Sequence, residues 1–152
     1  MDNGLKKKIG QMFISGFPST EVDDYAKRLK RDFSVSNFQF FARNLINPEQ
    51  ALELCNELNA LVMEDENEFA PFIGIDQEGG GVTRLQTGAL LFPSQMAVAA
   101  SGMDVTYDIG YHCGRIMRAM GINTNFAPVL DVNISSMNPI IGTRAYGDNP
   151  EH

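Results

Sequence analysis

The sequence predicts an α/β fold built on a parallel sheet, and three observations carry that reading. Short apolar segments alternate with longer segments of helical period. The short segments are almost continuously apolar, which is the pattern of strands buried on both faces. No low-complexity segment or linker divides the 152 residues, so residues 1–152 read as one unit holding four β/α repeats.

Each element can be justified in order. Gln11–Phe17 reads as a first strand. Ser19 is expected to cap a helix running to about Asp32, with Val22, Tyr25, Ala26 and Leu29 as its buried stripe. Asn37–Ala42 reads as the second strand. Asn47-Pro48-Glu49-Gln50 is a helix start with an Asn cap, a proline at the first position and a glutamine at the third. That helix is expected to reach about Glu64 and to turn Ala51, Leu54, Cys55, Leu58, Leu61 and Val62 inward.

Asp65–Glu68 reads as an acidic turn and Phe72–Asp76 as the third strand. A long connection, roughly 79–103, holds Phe92-Pro93-Ser94 and the small-residue run Ala97–Ala100. A third helix is expected over about 104–120, with Thr106, Ile109, Cys113, Ile116, Met117 and Met120 on one face and Gly121 closing it. Asn123–Val132 reads as the fourth strand. The stretch Asn133–His152 reads mostly as loop, with Asn149-Pro150 as the start of another helix.

Composition narrows the function classes. A net charge of −7, from 19 acidic and 12 basic residues, argues against a nucleic-acid partner. The basic clusters Lys6-Lys7-Lys8 and Lys27, Arg28, Lys30, Arg31 read as solvated helix faces. Cys55 and Cys113 fit neither a disulfide framework nor a metal site and read as reduced core residues. His112 and His152 give no zinc spacing, so neither metal nor cofactor is expected. No apolar stretch approaches transmembrane length, and Ile9–Phe17 is too polar and short for a signal-peptide core. A membrane partner is not expected, and a cytoplasmic location is the default expectation.

Ligands of parallel α/β folds bind at the carboxyl ends of the strands. The predicted strand ends here are Ser15-Gly16-Phe17, Ala42-Arg43-Asn44, Asp76-Gln77-Glu78 and Asp131-Val132-Asn133. Their convergence would bring Asp76 towards Asp131, with Arg43, Arg84 and Arg144 available to neutralise them. The plain alternative is that Arg43 or Arg144 simply pairs with Asp131 in a buried network. For residues 76–84 the plain alternative is a strand followed by a glycine turn with solvated acids.

Carboxylates and guanidiniums around a cavity suit a sugar, whose hydroxyls need paired acceptors and donors. Asp76, Glu78 and Asp131 are a thin set for a divalent cation. The Gly79–Gly81 run lacks the Lys-Ser/Thr of a phosphate loop and the spacing of a dinucleotide fingerprint.

The segment Asp76-Gln-Glu-Gly-Gly-x-Val-x-Arg84 resembles the signature of family 3 glycoside hydrolases, in their β-N-acetylhexosaminidase branch. Further segments resemble that branch in order: Ile9-Gly-Gln-Met-Phe, Phe40-Phe-Ala-Arg-Asn44 and Phe92-Pro-Ser, then Gly121 through Val132 and Asn138 through Pro150. The resemblance implies a TIM-type (β/α)₈ barrel that hydrolyses terminal β-linked N-acetylglucosamine, often from cell-wall fragments, with retention of configuration. Carried over, Asp76 resembles the carboxylate that accepts hydrogen bonds from sugar hydroxyls in the −1 subsite. Arg84 and Arg144 resemble the arginines completing it, and Asp131 a supporting strand-end carboxylate. One departure is Gly81, where the family usually has arginine.

No residue of the chain resembles the family's catalytic pair. Retaining glycosidases need a nucleophilic carboxylate and a general acid/base. In this branch the resemblance places them on a histidine loop after a Lys-His-Phe-Pro-Gly-His segment and on a later aspartate, and neither segment occurs here. A barrel needs about 250 residues, so the chain is expected to supply about the first four β/α units of a longer enzyme and to be inactive alone. Self-association through the open half is expected, with a carbohydrate as the substrate partner. The alternatives are a half-barrel that binds sugar or assembles without chemistry, and the β-glucosidase branch of the same family.

Overall fold

The computed structural model describes residues 3–64 and 69–151. Four strands form one parallel sheet in the order of the chain: β1 (Ile14–Ser15), β2 (Asn37–Phe40), β3 (Ile73–Ile75) and β4 (Thr124–Asn125). The registers Ile14↔Asn37, Phe38↔Ile73 and Gly74↔Thr124 set the strands side by side with their carboxyl ends on one rim. The helices are α1 (Asn3–Gly10), α2 (Asp24–Phe33), α3 (Pro48–Met63), α4 (Gln95–Ala100) and α5 (Met103–Ala119).

The strands are short, and two asparagines extend their pairing. Asn37 Nδ2 donates to the carbonyls of Gln11 and Phe13 at 2.9 and 3.2 Å, and its Oδ1 accepts from the Phe72 N–H at 3.0 Å. Asn123 works the same way one strand pair on, accepting from the Ile73 N–H and donating to the Pro71 carbonyl, both at 2.8 Å. Side-chain amides thus satisfy backbone groups that a longer ladder would have paired.

The core lies between the sheet and the helices. Phe38, Phe40, Ile73 and Ile75 meet Ala51, Leu54, Cys55, Leu58 and Val62 of α3, with Phe17 edge-on to Phe38 at 5.9 Å. Asn47 Oδ1 accepts from the Gln50 N–H at 2.8 Å and Gln50 Oε1 from the Ile46 N–H at 2.9 Å. The start of α3 therefore follows its sequence signal, and such a cap is worth about 1 kcal/mol. The opposite face of the sheet carries Ile14, Gln39, Gly74 and Phe126 near one another, and Ile14 and Phe126 stay exposed there.

Several expected boundaries shift. The first strand is only Ile14–Ser15, because Asn3–Gly10 is helical and Gln11, Met12 and Phe13 form the turn out of it. Helix α2 is capped by Asp23, whose Oδ1 accepts from the Ala26 N–H at 2.9 Å, while Ser19 serves a turn to Glu21. Ala26 is buried in α2, but Tyr25 is exposed. The long connection folds a turn and a half of helix at Gln95–Ala100, which its alanines favour.

The largest correction is the fourth strand, which stops at Asn125. Pro128 has no N–H for a ladder, and the Val129 N–H goes instead to Gln95 Oε1 at 3.2 Å. Asp131 therefore sits on an exposed loop and not at a strand end. The expected acidic turn Asp65–Glu68 and His152 lie outside the described residues. The Glu151 N–H donates to Asn149 Oδ1 at 3.0 Å, as a helix cap would require.

Candidate functional site

Strand β3 ends at Ile75, and the next three residues build the rim. The Gln77 N–H donates to Asn125 Oδ1 at 3.0 Å, and Asn125 Nδ2 returns a bond to the Gln77 carbonyl at 3.1 Å. The buried Gln77 side chain stays inside the loop, its Oε1 accepting from the Arg84 N–H at 2.9 Å. The chain reverses through Gly79 and Gly80, at φ 96° and 57°, while the Glu78 N–H donates to the Val82 carbonyl at 3.0 Å. Positive φ is what glycine supplies without strain.

That reversal carries Arg84 back to Asp76. Arg84 Nη2 lies 2.7 Å from Asp76 Oδ2, with 30% and 24% of the two side chains exposed. Gln39 of β2 holds the other oxygen, its Nε2 donating to Asp76 Oδ1 at 3.2 Å. The Phe41 ring lies beneath both neighbouring guanidiniums, 4.6 Å from Arg43 Cζ and 5.8 Å from Arg84 Cζ. Asp76 is thus fixed on both oxygens and still open to solvent.

Glu78 forms a second pair on the same rim. Arg144 Nε and Nη2 donate to Glu78 Oε2 and Oε1, each at 2.8 Å, and Nη1 donates to the Ile140 carbonyl at 3.2 Å. The Glu78 side chain is 4% exposed. Its hydrogen bonds hold the Arg144 guanidinium protonated above its ordinary range; burial opposes this, and the fields of Glu78, Asp131 and Asp76 reinforce it.

Asp76, Arg84 and Arg144 therefore share one rim, and among the described residues Asp131 acts on it through its field on Arg144. Neither arginine suggested as a partner for Asp131 hydrogen-bonds to it: Arg144 turns to Glu78, and Arg43 Nε donates to the Phe17 carbonyl at 3.1 Å. Gln39, Phe41 and Asn125 were not singled out in the sequence, and Gln77 was named only as part of a strand end. For Gln39 a signal existed: it is the lone amide in the apolar run Phe38-Gln-Phe-Phe41.

A cavity of about 320 Å³ adjoins the rim between α5 and the strand ends, reaching Glu78, Asn125, Cys113 and Tyr146. A larger cleft of about 680 Å³ lies at the other end of the sheet, between α1 and α2. No strand delivers its carboxyl end there, so the rim and not that cleft is the candidate site. Among the described residues no group of three His, Cys, Asp or Glu side chains is arranged for a metal ion.

The profile of the glycosyl hydrolase family 3 N-terminal domain matches residues 4–152. The chain belongs to glycosyl hydrolase family 3. It is 32% identical over 123 residues to β-hexosaminidase A of Pseudoalteromonas piscicida, covering 78% of this chain and 21% of that protein. A family 3 β-N-acetylglucosaminidase from Paenibacillus sp. str. FPU-7 superposes with a TM-score of 0.92 at 42% identity, covering 97% of this chain and 28% of that one. NagZ from Neisseria gonorrhoeae in complex with N-trifluoroacetyl-D-glucosamine superposes at 0.69 with 26% identity, over 91% of this chain and 41% of that one.

The four parallel strands are thus part of a TIM-type (β/α)₈ barrel. The chain spans about a fifth of the Pseudoalteromonas relative and less than a third of the Paenibacillus structure.

Proposed function

We propose that this family 3 chain supplies part of the −1 sugar subsite of an enzyme that hydrolyses terminal β-linked N-acetylglucosamine with retention of configuration. Asp76 accepts hydrogen bonds from sugar hydroxyls, and Arg84 donates at its side. The observation that carries this reading is the Asp76–Arg84 pair, held on a strand-end rim with both side chains partly exposed. A carboxylate whose orientation is fixed and whose remaining lone pairs face solvent is the acceptor a hydroxyl needs. The names of the relatives support the sugar, since they are a β-hexosaminidase and a β-N-acetylglucosaminidase.

Arg144 has a smaller share than Arg84 in this reading. Its Nε and both terminal nitrogens already bond Glu78 and Ile140, so it shapes the subsite by holding Glu78 in place. Asp131 supports it through charge alone. The face bearing Ile14, Gln39, Gly74 and Phe126 is where the remaining barrel strands pack, or a second copy in their absence.

Calorimetric titration of N-acetylglucosamine into the purified chain, beside Asp76→Ala, tests the reading. Saturable heat in the wild type that vanishes in Asp76→Ala is the expected result. Equal heats from both proteins would remove Asp76 from the subsite.

A further inference from the structure

We propose that Gln39 is a positioning residue that sets the orientation of the Asp76 carboxylate, and that Gly74 is small so that Gln39 can reach it. The functional half of this proposal rests on Asp76 belonging to the sugar subsite. Its structural half does not.

Gln39 stands in register with Gly74 in the middle of the β2–β3 ladder, on the sheet face opposite the helices. Its neighbours Phe38 and Phe40 are fully buried on the helix side, so strand alternation sends the amide alone to this face. There Nε2 donates to Asp76 Oδ1 at 3.2 Å while Arg84 holds Oδ2 at 2.7 Å. With one donor on each oxygen, the carboxylate plane is fixed from β2 and from the loop that follows β3.

The other end of the amide explains why stability is not its purpose. Gln39 Oε1 is buried and has no hydrogen-bond partner among the described residues. An unpaired buried acceptor destabilises a fold, and an apolar side chain of the same length would avoid that cost. Reversing the amide would press Oε1 against Asp76 Oδ1, acceptor on acceptor, so the donor end must face the carboxylate. Glutamine is thus the side chain that orients Asp76 at the expense of the sheet.

Gly74 completes the arrangement. A Cβ there would lie 2.6 Å from Gln39 Oε1 and 2.7 Å from the Phe126 ring. Even alanine would displace the amide or the ring, although φ at this position is ordinary.

The test reads the contact directly by NMR of the full 152-residue chain, with no sugar present. In Gln39→Met the Asp76 carboxyl carbon signal is expected to shift and broaden, while the Glu78 carboxyl signal stays and the melting temperature is unchanged or higher. Gly74→Ala is expected to move the same Asp76 signal with Gln39 still in place. A falling melting temperature with an unmoved Asp76 signal would make Gln39 a structural residue and overturn the proposal.

Sugar titration of the same variants separates the two readings. Affinity for N-acetylglucosamine about tenfold weaker in Gln39→Met, with the fold intact, supports both, as the loss of one charge-assisted bond would give. An Asp76 signal that moves in a chain where no variant binds sugar would refute the subsite and support Gln39's control of the carboxylate.

Discussion

Arg144 closes on Glu78 with two hydrogen bonds of 2.8 Å, tying a loop 66 residues downstream to the end of β3. The carboxylate is almost wholly buried, whereas the guanidinium is about one-third exposed. Removing the arginine therefore leaves an uncompensated buried charge. Arg144→Ala is expected to cost about 2 kcal/mol in urea unfolding, below the range for a fully buried pair because solvent screens one partner. Arg144→Lys should recover less than half of that, since a single ammonium cannot reproduce the fork. Equal stability of Arg144→Ala and wild type would show that the tie is not maintained in solution.

The glycine run separates into positions that need glycine and one that does not. Gly79 has φ 96°, and a Cβ there would run into the Pro93 carbonyl oxygen. Gly81 has ordinary φ and nothing within 4 Å of a built Cβ. Gly79→Ala is expected to destabilise by about 1–3 kcal/mol. Gly81→Arg is expected to stay within about 0.5 kcal/mol of wild type. Thermal unfolding of the two variants decides it, and a large loss in Gly81→Arg would mean the loop closes more tightly over that position.

Much of this was legible in the sequence, and what was not has physical causes. The apolar runs around Phe38 and Ile73 and the Asn47-Pro48-Gln50 start gave the alternation of strands and helices. The edges of the strands were not legible, because Asn37, Asn123 and Asn125 replace ladder bonds with side-chain bonds that no periodicity encodes. The Asp76–Arg84 pairing follows from a glycine reversal over eight residues and was within reach. The Glu78–Arg144 pairing was not, since it depends on where a 66-residue excursion returns. Asp131 was misplaced because an apolar run, Phe126–Leu130, reads as strand although Pro128 interrupts it.

Cys55 offers a test of the core. Burial against α3's neighbours pushes its thiol up to about 12. The folded state then keeps a proton that the unfolded chain gives up at lower pH, so the contribution is complete below the unfolded value. It is lost as pH rises from about 9 towards 12, with a slope of at most about 1.4 kcal/mol per pH unit. Urea unfolding at several alkaline pH values should show this decline, and native Cys55 should resist thiol reagents until the chain unfolds. Rapid labelling at pH 8 would contradict the buried placement.

The pairs that build the rim set an expectation for the activity of the 152-residue chain. Retaining hydrolysis requires one carboxyl free to attack and another group able to donate a proton. Asp76 and Glu78 are each bonded to a guanidinium, so neither stands as a carboxyl free of a partner on this rim. The sequence also holds no Lys-His-Phe-Pro-Gly-His-like segment to bring a histidine to the rim. The purified chain is therefore expected to release no chromophore from a chromogenic β-N-acetylglucosaminide above a boiled control. Turnover that survives in wild type but is lost in Asp76→Ala would place catalysis on this rim and reverse the assignment of Asp76 from binding to chemistry.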